Sequence, residues 1–386
     1  MPVAPISGSG NGRLHALTLR VGRFAAAAAL ASAAFACRAA EATDKPAPYT
    51  VADPTGDWGF PSPYAMHPRG PGYVRMSLLF DTLVWKDRTG LVPALATEWT
   101  YHPDDRRFVF TLRRNVRWHD GAPFTPEDVA FTFDYIRRHP WPWASAERIR
   151  RVRTLDNRRV EVVLHEPYAP FLTNVAGTLP ILPKHLWQDI DDPESFRAPE
   201  AGVGTGPYRL VDYNAARGQY RYTANREYYG GAPVVEDLRF VRYSPQLAAT
   251  ALLRGEVNAA SVPPETLPLL RRRGLAVEEE PPAWAAKLLV NHRRPPLDSV
   301  AFRRALAHAV DADRLVAILC RGHGIPASPG LLPPSNEKWS GDDLPRYPYN
   351  PEKARELMAQ CPVPDAPLQL LYAGGTPQRF DRLAEH

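Results

Sequence analysis

Catalysis needs side chains that move protons, attack carbon or hold metal, and this chain of 386 residues carries eleven histidines and three cysteines. No histidine falls in an H-E-x-x-H pair, which would hold zinc from one helix face, and no serine sits in a G-x-S-x-G elbow. His119-Asp120 has the residue types of an acid–base couple, but it breaks a strand pattern ahead of Gly121 and reads as turn chemistry. After Cys37 only Cys320 and Cys361 remain, with no CxxC or Cys/His spacing that suggests zinc. A disulfide in an oxidising compartment and two buried free thiols both fit them. Gly202-Val203-Gly204-Thr205-Gly206 has the glycine density of a phosphate loop, yet it lacks G-K-[ST] and leads into a strand pattern from Tyr208 to Tyr213. Binding chemistry remains. Asp53 to Gly72 gathers Trp58, Phe60, Tyr64 and His67 among glycines and prolines, and Arg138-x-x-Trp141 sets a planar guanidinium fork beside a flat apolar face. Aromatics pinning a surface loop, and a solvated arginine beside a structural tryptophan, are the competing readings.

The elements that must position these groups are clearest between Leu91 and Arg138. Phe108, Phe110 and Leu112 alternate with Arg107, Val109 and Thr111, the period of a half-buried strand. Thr125-Pro126-Glu127-Asp128 then supplies an N-cap hydroxyl, a first-turn proline and two acids that complement the helix dipole. Val129, Phe133 and Ile136 follow at helical spacing, and Pro140 and Pro142 close the helix. Further along, Tyr73 to Trp85 reads as a helix running into a buried strand, and Val152 to Leu164 as two strands turning at Asp156-Asn157. Asp237 to Val241 and Val257 to Val262 are strands flanking a helix that Ser244-Pro245 opens and Gly255 ends. Trp284 to Asn291 reads as a strand, Asp298 caps a helix from Val300 to Val310, Asp311 caps the next, and Leu368 to Tyr372 begins another strand.

Length suggests two or three domains, and 44% hydrophobic with 23% charged residues is ordinary for a soluble globular chain. The 42 prolines are spread without a repeat, which excludes collagen-like and linker readings. Net charge is +5, but Arg13, Arg20 and Arg23 lie in the first segment, and without them about +2 remains. No basic run with interleaved aromatics points to nucleic acid. Those arginines precede an apolar Ala-rich run, Phe24 to Ala36, too short for a span and laid out as a secretory signal; a cytosolic helix is the competing reading. Twin arginines are absent, which favours the general secretory route. Cys37 after Ala34-Phe35-Ala36 resembles a lipoprotein box, whose cysteine is acylated, while Ala40-Glu41-Ala42 offers an ordinary cleavage site instead.

Three ordered strings carry a family resemblance. They are L-x-P-x-L-A-x-x-W from Leu91, D-D-x-x-x-x-F-x-L-R from Asp104, and W-H-D-G-x-P-F-T-x-E-D-V from Trp118. Gly202 to Leu210, the turn from Asn225 to Pro233 (Tyr229 in place of a tryptophan), Arg294 to Val316, and Tyr349 to Ala354 continue it. Together they resemble the family 5 extracytoplasmic solute-binding proteins, the peptide- and nickel-binding receptors of ABC importers. The resemblance implies an α/β, two-lobed periplasmic-binding-protein-like fold (type II, the three-subdomain peptide-binding type) with its C-terminal part missing. It divides the chain into a signal peptide and leader (1–42), domain I (43–90 and 202–283), domain II (91–201) and an incomplete domain III (284–386). Family members run on past the position of His386. There an acid meets the peptide amino terminus in peptide binders and a histidine meets the metal in the nickel branch.

The implied function is capture of a short peptide and its delivery to inner-membrane permease subunits, by a monomer with no cofactor, no resident metal and no catalysis. A nickel chelate or another small solute is the alternative ligand. A secreted hydrolase and a truncated product without function are alternatives of other classes. Tyr64, His67, Arg138, Trp141, Trp284 and Asn291 are the expected ligand-facing residues, and Cys37 the expected lipidation site.

Overall fold

The computed structural model describes residues 47–68, 70–87, 89–142, 144–279, 286–327, 345–361 and 367–371. The expected signal segment, Cys37 and Trp284 lie outside them. Apart from Ala47, the described residues belong to the unit Pro48–His386.

Two sheets organise it. In the first, β1 (Tyr49–Asp53) lies between two parallel neighbours, β10 (Asp237–Arg242) and β11 (Ala259–Ala260). Antiparallel β9 (Gln219–Ala224) and β8 (Tyr208–Asn214) complete the order β11-β1-β10-β9-β8. The strand nearest the described N-terminus thus pairs with segments almost 200 residues away, and the second sheet is built from the chain in between.

That second sheet runs β4 (Ala96–His102), β5 (Arg107–Leu112), β7 (Arg159–Leu164), β6 (Ile149–Thr154), all antiparallel. The period-two pattern of β5 buries Phe108, Phe110 and Leu112, as the alternation requires. Phe108 stacks on Phe171 with ring centroids 4.7 Å apart. α2 (Pro126–Arg138), the helix after α1 (Pro71–Ser77), buries Val129, Phe133 and Ile136 in the same core. Each such side chain contributes about 2 kcal/mol by removal of apolar surface from water. β2 (Val84–Asp87) and β3 (Gly90–Pro93) form a hairpin, and the expected domain boundary at residues 90/91 falls inside it.

Between the sheets runs Leu78–Leu83. It belongs to neither, yet its carbonyls serve both. Gly206 and Tyr208 donate to Leu79 and Leu78, while Leu95 and Ala96 donate to Thr82 and Leu83. Leu79, Phe80, Thr82 and Leu83 are all buried, so these bonds form away from water.

α3 (Lys184–Trp187) and α4 (Pro245–Leu253) follow, the latter capped by Ser244 as expected. After α5 (Leu267–Arg272) come α6 (Val300–Ala309), α7 (Ala312–Leu319) and α8 (Pro351–Met358), whose N-caps are Ser299, Asp311 and Asn350. Several sequence expectations need correction. Ser299, not Asp298, accepts the capping bond of α6, from the Phe302 N–H. The 257–262 strand shrinks to Ala259–Ala260, because Val257 turns into the core against Ala248 and Ala251. Ala286–Asn291 and residues 367–371 form no strand. Their leucines explain the misreading: Leu288, Leu289, Leu370 and Leu371 are exposed and have no sheet to pair with among the described residues. Cys320 and Cys361 are free and half-buried. Among the described residues no helix is long and apolar enough to cross a membrane.

Asp128 joins the start of α2 to its surroundings. Its buried carboxylate accepts from the Thr125 N–H at 2.8 Å, the Lys184 N–H at 2.9 Å and the Trp118 Nε1–H at 3.3 Å. Asp128→Ala strands three donors at once and should cost about 3 kcal/mol, read as a lower urea midpoint with an unchanged slope.

Candidate functional site

In open sheets with parallel strands, ligands gather beyond the carboxyl ends of those strands. Here that position belongs to the loop after β1, and its conformation is fixed by neighbours rather than by the loop itself. Asp53, at the end of β1, accepts from the Thr55 N–H at 2.8 Å and pairs with the buried guanidinium of Arg75 from α1. Arg75 lies 3.4 Å from the Phe240 ring centroid, so the pair is enclosed between β1 and β10. Two tyrosines from β8 and β9 hold the next turn. Tyr213 donates to Asp57 at 2.7 Å, and the Tyr220 hydroxyl accepts from the Trp58 N–H at 2.7 Å. Trp58 Nε1 donates to Thr55 Oγ1 at 2.6 Å, and the His67 N–H closes back on the Trp58 carbonyl at 2.7 Å. Gly59 has φ +85°, and a Cβ there would lie 2.5 Å from the Ala65 oxygen, so only glycine permits this closure. The result is a hollow of about 500 Å³ lined by Thr55, Asp57, Trp58, Met66 and His67.

The expected site residues divide accordingly. His67 is exposed in the hollow, its ring 5.2 Å from that of Trp58. Tyr64 and Trp141 are brought together, but by packing. The Tyr64 hydroxyl donates to the His139 carbonyl at 2.7 Å, and Trp141 Nε1 donates to the Pro63 carbonyl at 2.6 Å. Trp141 is 4% exposed and offers no face to a ligand here. Burial also pushes the Tyr64 phenol pKa up. Arg138 is exposed at the end of α2, its guanidinium 5.3 Å from the Tyr135 ring centroid. Asn291 is exposed, and its side chain accepts from the Arg293 N–H at 3.0 Å, which is turn chemistry. Trp284 lies outside the described residues.

The glycine-rich segment from Gly202 to Gly206 holds no phosphate-type cradle; it is a clasp. A Cβ at Gly204 would lie 1.8 Å from the Leu79 oxygen, and one at Gly206 2.6 Å from the Leu78 oxygen. Across the clasp His119 is buried. Its Nδ1 accepts from the Gly204 N–H at 3.1 Å, which places the proton on Nε2, 3.0 Å from the Gly206 carbonyl. Burial lowers its pKa to about 4, so the ring is neutral and acts as a fixed strut. Asp120 instead pairs with His185 at the surface, 2.7 Å away. On the other side Asp81 accepts from Thr205 Oγ1 at 2.9 Å and Tyr228 at 3.2 Å. Enclosure of its carboxyl group raises the pKa to about 6, against these hydrogen bonds and the charge of Arg113.

Asp53, Arg75 and Asp81 escape a reading for ligand residues. The available signal was a lone charge inside an apolar run, as in Tyr73 to Trp85, which calls for a buried partner without saying which. Among the described residues no group of three His, Cys, Asp or Glu could hold a metal ion.

The family described as "Bacterial extracellular solute-binding proteins, family 5 Middle" matches residues 90–385. Di/tripeptide-binding protein 2 of Pseudomonas aeruginosa is 30% identical over 327 residues, covering 76% of this chain and 61% of its own length. The dipeptide-binding protein of Escherichia coli is 28% identical over 301 residues, covering 71% and 55%. NikZ from Campylobacter jejuni, solved in complex with Ni(L-His), aligns with a TM-score of 0.68 at 25% identity, over 81% of this chain and 62% of that one. The chain therefore spans roughly three-fifths of the length of these relatives.

The clasp predicts a pH signature with two opposing parts. His119 titrates near 4 when folded and near its ordinary 6.5 when unfolded. The unfolded chain therefore binds more protons between those values, and stability rises with pH there. Asp81 titrates near 6 when folded and 3.8 when unfolded, so its part falls as pH rises through that window. Asp81→Asn removes the falling part. The stability of the variant, from urea midpoints at successive pH values, should climb more steeply than wild type between about pH 4 and 6. Parallel curves would refute the assignment.

Proposed function

The chain belongs to the bacterial extracellular solute-binding proteins of family 5, and on that footing we propose that it captures a short peptide outside the cytoplasmic membrane and hands it to the permease subunits of an ABC importer. The observation that carries the peptide reading is the 30% identity to a di/tripeptide-binding protein over 327 residues. The geometry is consistent with it. The loop after β1 is held by four side chains of the surrounding sheet and helix, Asp53, Arg75, Tyr213 and Tyr220, and it turns an aromatic, hydrogen-bonding hollow outward at the end of a parallel strand pair. Binding needs only such a pre-formed surface and a second lobe to close over it, with closure stabilised by ligand contacts on both sides. No proton transfer or nucleophile is required, so the peptide leaves intact.

In this reading the first sheet and its helices form domain I, from 43 to 83 and from 202 to 283. Its first boundary is moved before Val84 so that the β2–β3 hairpin stays whole in domain II, and residues 284–386 contribute to domain III. Secretion through the N-terminal segment, acylation at Cys37 and a monomeric state complete the proposal. Likeness to NikZ in complex with Ni(L-His) favours a second ligand reading, a nickel chelate, for which Arg138 would meet the chelate's carboxylate.

Calorimetric titration of the full chain with di- and tripeptides, and separately with nickel and histidine, decides between them. Saturable peptide binding is expected, with the peptides recovered intact by mass spectrometry; heat from the nickel–histidine mixture alone would transfer the assignment to the chelate. His67→Ala should weaken peptide binding by ~10-fold while leaving the urea midpoint within about 0.5 kcal/mol of wild type, since the side chain is exposed.

A further inference from the structure

The outward face of the β4-β5-β7-β6 sheet carries a built cluster of arginines that peptide capture does not use. β6 reads Ile149-Arg150-Arg151-Val152-Arg153-Thr154. Ile149 is buried and Val152 packs against the core, although they are three residues apart and a regular strand would send them to opposite faces. A bulge between Ile149 and Arg151 absorbs the extra residue. Both inward side chains are thereby kept, and Arg150 and Arg151 are both left exposed. Arg151 stands opposite Val163 of β7, which faces Arg107 of β5 on its other side; Arg153 stands opposite Glu161. These residues line a hollow of about 500 Å³.

Glu161 forms its floor. It is 2% exposed, and its Oε2 receives Arg107 Nη1 at 3.2 Å. Arg153 Nε and Arg151 Nη2 lie 2.8 Å and 3.6 Å from Oε1. One carboxylate thus sits among three guanidinium groups, each a planar fork with five donors and a permanent charge. It hydrogen-bonds Arg107 and neutralises one of the three, while its Oε1 meets Arg153 and Arg151 by charge alone and has no hydrogen-bond partner among the described residues. The side chains of Arg151 and Arg153 are 55% and 56% exposed, which leaves donors free toward solvent. Arg150 has no ion pair among the described residues. Asp104 and Asp105 close the far end of the hollow, and Asp105 is taken by Arg107 Nε at 2.9 Å. Arg106 also lines the hollow, donating to the His165 carbonyl at 2.8 Å, so five arginines face three carboxylates and most of the uncompensated charge lies along β6.

We propose that this hollow binds a phosphate-type oxyanion, supplied either as free phosphate or as the headgroup of an anionic lipid. A tetrahedral oxyanion accepts the forks of adjacent arginines, and the buried Glu161 keeps them extended without filling the space above. Were the cluster only a sheet-stabilising network, one arginine would suffice for one carboxylate.

The test uses the full chain. Thermal unfolding is followed during titration with inorganic phosphate, against sodium chloride at equal ionic strength to remove general screening. Phosphate should raise the transition beyond chloride, as a ligand of the folded state does. Arg150→Ser/Arg151→Ser should weaken that response by ~10-fold or more. Arg150 makes no pair with Glu161 and Arg151 is the more distant of its partners at 3.6 Å, so the variant retains the Arg107 and Arg153 contacts with Glu161. Arg148→Ser, which removes a surface pair with Glu166 outside the hollow, should respond as wild type. In the second arm, the chain is sedimented with phosphatidylglycerol vesicles and with phosphatidylcholine vesicles. Binding only to the former, lost in the double variant, assigns the lipid headgroup, whereas a phosphate response without vesicle binding assigns the free anion. No response in either arm, or one that survives the double substitution, overturns the proposal.

Discussion

A β-carbon at Gly204 would lie 1.8 Å from the Leu79 carbonyl oxygen, and the rest of the architecture follows from that contact. The glycines let the 202–206 segment lie directly on Leu78–Leu83, backbone against backbone, where a side chain would hold them apart. The bonds formed there start β8 on one side, and the same stretch of chain aligns the start of β4 on the other. His119 reaches from the second sheet's turn to the same glycines, and Asp81 ties Thr205 and Tyr228 from beneath. The bonds that close this junction therefore join groups from different parts of the chain. Low local dielectric makes such bonds strong when complete and their loss expensive.

That rigidity is what the loop after β1 depends on. Its own sequence, rich in glycine and proline, has little intrinsic preference for one shape. Arg75, Tyr213 and Tyr220 impose one from elements held in register by the clasp. The hollow around Trp58 and His67 is accordingly a product of the sheet beneath it. The arginine hollow on the other sheet obeys the same logic with different materials: strand register and one bulge place the guanidinium groups, and one buried acid pairs with three of them.

Much of this was legible from residue order. The strand at 107–112, the capped helix at 126–138, the strand pair read within 152–164 and the helix caps at Ser244 and Asp311 depend on neighbours within a few positions, so local pattern suffices. His119-Asp120 was rightly read as turn chemistry, although its bonding to Gly204 and Gly206 was invisible. The misreadings share a cause. Apolar runs at 286–291 and 367–371 look like strands because periodicity records what a segment could bury, while a strand exists only where a neighbouring edge accepts its hydrogen bonds. Trp141 looked ligand-facing because an aromatic beside a proline-rich turn can point either way, and only the Pro63 carbonyl decides which.

By itself, then, the sequence determined the local elements, the long ordered strings that mark family 5, and the need for partners wherever a charge stood in an apolar run. Tertiary structure alone decided which partners those were. The pairing of Asp53 with Arg75, the enclosure of Asp81, the neutral state of His119 and the gathering of arginines around Glu161 join residues from 8 positions apart, as Arg153 and Glu161, to 124, as Asp81 and Thr205. Their energies come from desolvation and from directional bonds to groups brought close only by folding. No spacing along the chain encodes those distances.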